Sequence, residues 1–86
     1  MLSEHAICRM QQRGIKLNVV NAVIEFGEEY FCPKGILYLC SKKSIRKLLN
    51  CGVPTSQTKR YKGVYVVIQD GLVQTVGHRF KRLYRR

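Results

Sequence analysis

The stretch from Val64 to Val76 constrains the fold more than any other part of the chain. Val64-Tyr65-Val66-Val67-Ile68 is a nearly continuous run of β-branched and aromatic residues, as in a strand with neighbours on both sides. Asp70-Gly71 is a strong two-residue hairpin signal, and Leu72 to His78 can return as the partner strand. An isolated hairpin is barely stable in water, so this one requires further strands and a layer to cover its apolar face.

The rest of the chain supplies both. Ser3 is placed to cap a first helix that includes Glu4 in its first turn and stops at Gly14. A second helix is expected from Leu17 to Phe26, closed by Gly27. Its valines, Ala22, Ile24 and Phe26 cover all but the side of Asn21 and Glu25, which marks a mostly buried core helix. Glu28 to Cys32 and Ile36 to Cys40, separated by Pro33-Lys34-Gly35, read as a hairpin. Ser41 then caps a third helix, Lys42 to Cys51, which ends at Gly52. Ile45, Leu48 and Leu49 form its packing side, and Lys42, Lys43, Arg46, Lys47 and Asn50 its polar side. Val53 to Lys62 contains Pro54 and many polar residues, and is read as an exposed loop. The order α-α-β-β-α-β-β predicts an α+β fold, a four-stranded antiparallel sheet with helices on one face. Residues 1–86 read as a single domain with a basic tail over 79–86.

Charge limits the partner. The net charge is +11, and it is unevenly placed: residues 1–33 sum to −1, whereas residues 34–86 carry thirteen Lys and Arg against Asp70 alone. No acidic residue falls between Glu29 and Asp70. A face kept charged only for solubility usually mixes signs. The expected partner is a polyanion, with nucleic acid, and RNA in particular, the leading reading. Lys42, Lys43, Arg46, Lys47, Lys59, Arg60, Lys62 and Arg82 are the expected backbone contacts. An acidic protein partner, such as an antitoxin, is the competing one.

No apolar run reaches the roughly 20 residues that span a bilayer, so no membrane role is expected. Leu2 to Ile7 is too short and polar for a signal peptide. Cys8, Cys32, Cys40 and Cys51 have irregular spacing without a C-x-x-C pair, and neither a zinc site nor a disulfide framework is expected. The chain reads as a reduced, cytoplasmic protein without a cofactor.

The chemistry these residues could perform is narrow. Glu4, Glu25, Glu28, Glu29 and Asp70 are scattered, whereas magnesium-dependent nucleases cluster their acids. Metal-free RNA cleavage needs a base for the 2′-hydroxyl, cations for the phosphorane and an acid for the leaving oxygen. His5 and His78 suit proton transfer near neutrality. On a helix advancing about 100° per residue, His5, Arg9, Gln12 and Arg13 share one arc. Period two along the last strand puts Thr75 and Arg79 on one face and His78 on the other, with Leu72, Gln74 and Val76. Thr75 and Arg79 are taken as facing the site, and His78 is left unassigned.

The pattern His5-x-x-x-Arg9-Met10-x-x-Arg13-Gly14-Ile15, the helix ending at Gly27, Val64–Ile68, Asp70-Gly71 and Val73-x-Thr75-Val76 resembles the bacterial domain of unknown function 4258 family. The likeness covers the first third and residues 63–79; Pro33 to Lys62 has no counterpart that can be placed. That family is grouped with the barnase–EndoU–colicin–RelE ribonuclease-like fold, which includes many toxin ribonucleases. The resemblance implies a four-stranded antiparallel sheet with two N-terminal helices, and a site near the first helix and last strands. His5, Arg9, Arg13 and Thr75 match its motif. Together these readings point to an RNA-binding protein whose residues suit metal-independent endoribonuclease activity. A non-catalytic nucleic-acid module and a domain that docks an acidic protein stand as alternatives.

Overall fold

The computed structural model describes residues 2–79. The fold is α+β, in the order α1 (Glu4–Arg13), α2 (Leu17–Phe26), β1 (Glu28–Cys32), β2 (Gly35–Leu39), α3 (Lys42–Asn50), α4 (Thr55–Tyr61), β3 (Val64–Gln69) and β4 (Leu72–His78). The strands form one antiparallel sheet in the order β1-β2-β3-β4, so the Val64 run has a partner on each side.

Sequence signals at the element ends work as local chemistry predicts. Ser3 Oγ accepts from the Ala6 amide, and Gly14 ends α1 at φ 65°. Asp70 and Gly71 both have positive φ (55° and 74°), the geometry of a type I′ hairpin turn. Gly27 ends α2 for a different reason: its φ is −70°, but an added Cβ would lie 2.4 Å from the Val23 carbonyl oxygen. There the glycine permits close approach of two backbones.

A helix stands where the sequence predicts an exposed loop over Val53 to Lys62. Thr55–Tyr61 is α4, because Thr58 and Tyr61, three residues apart, bury one side of the segment. Pro54 stands at its N-cap, a position that needs no amide proton. Thr58 Oγ1 donates to the Thr55 carbonyl at 2.7 Å, which satisfies its hydroxyl within the helix.

All four helices contribute to one core: Ala6 from α1, Val19, Val20 and Val23 from α2, Leu48 from α3 and Tyr61 from α4. They meet Val64, Val66, Val73 and Val76 of the sheet. Among the described residues, seven of the twelve buried apolar ones are valine, and Tyr61 is the one aromatic. Directly opposed residues in an antiparallel pair share a face. The pairs Val64–His78 and Val66–Val76 therefore put His78 on the helix side. Tyr65, Val67, Leu37, Leu39 and Thr75 lie on the other face and are half-buried.

The last strand departs from strict alternation. Val67 pairs with Thr75 but Ile68 pairs with Val73, leaving Gln74 as the extra residue of a bulge. Val73 and Val76, three apart, thus both face the helices, while Leu72 moves to the face of Thr75 rather than that of Val76.

Among the described residues, no helix is long and apolar enough to cross a membrane. The four cysteines are free thiols; Cys8 and Cys51 are exposed, Cys32 is half-buried and Cys40 buried.

Candidate functional site

Ser3 fixes the start of α1 against β4. Its amide donates to the Val73 carbonyl at 2.9 Å and its hydroxyl donates to the Gln74 carbonyl at 3.1 Å, at the bulge. His5, in the first turn, is thereby held beside Thr75. The two line one cleft of about 520 Å³ with Val67, Gln69, Gln74 and the Cys32-Pro33-Lys34 turn. The wall is largely apolar, with an imidazole, the Lys34 ammonium, the Thr75 hydroxyl and two amides as its polar groups. Such a set can move a proton and offer one cation.

The predicted guanidiniums stand elsewhere. Arg9 is half-buried one turn along α1, Arg13 is exposed at its end, and neither lines the cleft. Arg79 follows β4, half-buried, with its amide donating to the Gly63 carbonyl at 2.7 Å. It is also outside the cleft.

The basic residues gather on the helix layer. Lys42, Lys43, Arg46 and Lys47 of α3 and Lys59, Arg60 and Lys62 at α4 are all exposed. Lys42, Lys59 and Lys62 converge with Ile45 and Thr58 on a groove of about 300 Å³ between the two helices. Arg82 lies outside the described residues.

The α3 N-terminus is held by a polar network. Ser41 Oγ accepts from the Ser44 amide, Ser44 Oγ accepts from the Ser41 amide, and Ser44 Oγ also donates to the Leu39 carbonyl. Ser41 Oγ donates to Glu28 Oε1 at 2.6 Å, and the Tyr30 hydroxyl donates to Glu28 Oε2 at 3.2 Å. The Ser41 bond holds the Glu28 carboxyl below its ordinary pKa; the Tyr30 bond, Lys43 and Lys47 add to this, against a smaller rise from desolvation. Tyr30 is pushed up by desolvation and by Glu28.

A further cleft, not expected from the sequence, lies across α4 from the groove. It has a volume of about 430 Å³ and brings together Lys16 and Asn18 at the start of α2, Gln57, Arg60 and Tyr61 of α4, and His78. His78 and Thr75 therefore serve different clefts, on opposite faces of the sheet. This cleft depends on α4, a helix whose sequence signal is the Thr58–Tyr61 spacing beyond Pro54.

Among the described residues, no three His, Cys, Asp or Glu side chains gather as a metal site would require.

A four-stranded antiparallel sheet with α1 docked on β4 is the setting in which His5 and Thr75 line one cleft. The chain belongs to the family described as domain of unknown function DUF4258, whose model matches residues 2–76. The match spans residues 33–62, including α3 and α4, and stops short of His78. Neither the curated proteins nor the solved structures give a match to this chain.

Proposed function

We propose that this protein binds RNA through its helix layer. The observation that carries this reading is the groove between α3 and α4, where Lys42, Lys59 and Lys62 converge with no acidic residue in the lining among the described residues. Ammonium groups aligned on a groove neutralise successive phosphates and release their counterions, which supplies sequence-independent affinity. Arg46, exposed on α3, extends the same positive side. The test is competition for a fluorescently labelled single-stranded RNA, at about 0.15 M salt, by the unlabelled RNA, by duplex DNA and by polyglutamate. RNA should compete best. Preferential displacement by polyglutamate would replace this reading with one of an acidic protein partner, such as an antitoxin.

Metal-independent endoribonuclease activity is a second reading, favoured by the cleft that His5 and Thr75 share. His5 would exchange the proton of the 2′-hydroxyl or the leaving oxygen, and Lys34 would face the developing phosphorane charge. The grouping of the DUF4258 family with a ribonuclease-like fold, implied by the sequence resemblance, points the same way, although function follows the site rather than the fold. Cleavage of end-labelled RNA in EDTA tests it. General acid–base catalysis contributes roughly 10²–10⁴-fold, so His5→Ala should cost that much turnover while RNA binding is kept. Cleavage unaffected by His5→Ala, or abolished by EDTA, would refute it.

A further inference from the structure

We propose that the cleft between the start of α2, α4 and the end of β4 is a phosphate site that takes the phosphate group of a nucleotide. Three cationic or protonatable groups from distant parts of the chain (Lys16, Arg60 and His78) line one cavity of about 430 Å³. That volume falls within the range of small-ligand sites, about 300–1,000 Å³.

The lining suits a tetrahedral anion. A guanidinium presents two parallel N–H donors, an ammonium a compact charge and an imidazole a further donor, from three separate elements. Asn18 and Gln57 add neutral amides, and among the described residues no carboxylate lines the cleft. The N-cap of α2 is Lys16, which makes no side-chain cap bond, so the positive end of that helix adds to the local field. Ile15, Val19 and Tyr61 give the cleft an apolar wall against which the organic part of a nucleotide can rest.

Lys59 and Arg60, adjacent on α4, line cavities on its two sides. A phosphate held by Arg60 would thus sit across α4 from the lysine groove.

The inference goes beyond RNA binding, because a free nucleotide suffices to test it. The protein is titrated with adenosine 5′-monophosphate and, separately, with inorganic phosphate, at constant ionic strength. The readouts are the NMR signals of the His78 ring and of the amides of residues 16–18 and 57–61. Both probes should shift these signals with a Kd on the order of 1 mM, leaving the α3 amides nearly still. Arg60→Ala should weaken binding at least fivefold, and Arg60→Lys should restore part of it; an unchanged melting temperature in each confirms that α4 is intact.

Absent shifts, shifts spread equally over α3, or equal shifts with free glutamate would overturn the proposal. Phosphate binding without RNA binding would remove the functional reading and leave this one standing. RNA binding without these shifts would do the reverse.

Discussion

Truncating Tyr61 to Ala should release α4, and the cost can be worked from the core. Tyr61 is 7 % exposed and, among the described residues, the one aromatic in a buried set dominated by valine. Small β-branched neighbours are stiff and cannot extend into the space an aromatic ring leaves. Buried aromatic-to-alanine changes cost about 3–5 kcal/mol. A chain of 86 residues has a total stability of only about 4–13 kcal/mol at ordinary values per residue. A loss of about 3 kcal/mol lowers the melting temperature by roughly 12–24 °C in a domain of this size. Tyr61→Phe keeps the ring and should cost less than about 1 kcal/mol, because volume and apolar contact are preserved. Urea unfolding followed by circular dichroism gives the stability, and native-state hydrogen exchange gives the location. The amides of α4 should lose protection in Tyr61→Ala, and RNA affinity should fall although no charge has been removed. A stability loss below about 1 kcal/mol, set against the usual cavity cost, would mean that Tyr61 does not anchor the helix and would refute this account of α4.

Other expectations follow from the same contacts. The Glu28 carboxyl is held below its ordinary pKa chiefly by the Ser41 hydroxyl, so its ionised form stabilises the fold above the unfolded value near 4.5. That contribution is lost as pH falls through the folded value. Glu28→Gln should therefore cost less than about 1 kcal/mol at pH 7, as befits a surface-facing charge, with the difference closing in acid; a difference that widens in acid would contradict this. Burial pushes the Cys40 thiol up to about 11, so a thiol reagent at pH 8 should label exposed Cys8 and Cys51 first. Cys32, which donates to the Gly35 carbonyl at 3.2 Å, should follow slowly, and Cys40 should react on unfolding; four equally fast thiols would argue against this core. Gly27→Ala would press a methyl against backbone oxygens of Val23 and Leu39, costing at least the roughly 1–3 kcal/mol of overpacking. Gly14→Ala, with open space but φ 65°, should cost only the left-handed strain of about 1–2 kcal/mol; thermal melts that reverse this order would refute the distinction.

Much of this fold is legible in residue order. Ser3, Gly14 and Ser41 mark helix ends by satisfying or releasing backbone groups, and Asp70-Gly71 sets a register that carries Val64 and Val66 into the core. Helix α4 is harder to see because Thr, Ser, Gln, Lys and Arg fill most of its seven positions. Its apolar payload is essentially one tyrosine, and Pro54 favours a loop reading. The bulge at Gln74 is equally local: Val73 and Val76, three apart, signal a change of phase, but Leu72 offers an unbroken alternation with Val76 that competes with it. The His5–Thr75 cleft was approachable from the family motif, whereas the Lys16, Arg60 and His78 cleft depends on packing between elements far apart in the chain. Backbone periodicity carries information on faces, and not on which distant side chains will share a cavity.

The salt dependence of RNA affinity tests the central claim most directly. For single strands the slope of log K against log salt is about −0.7 per phosphate neutralised. Replacing Lys42, Lys59 and Lys62 together by alanine should flatten the slope by about 2, three contacts at that value. A flattened slope with an unchanged melting temperature is the predicted result. A slope identical to that of the native protein would show that the α3–α4 groove is not where RNA binds.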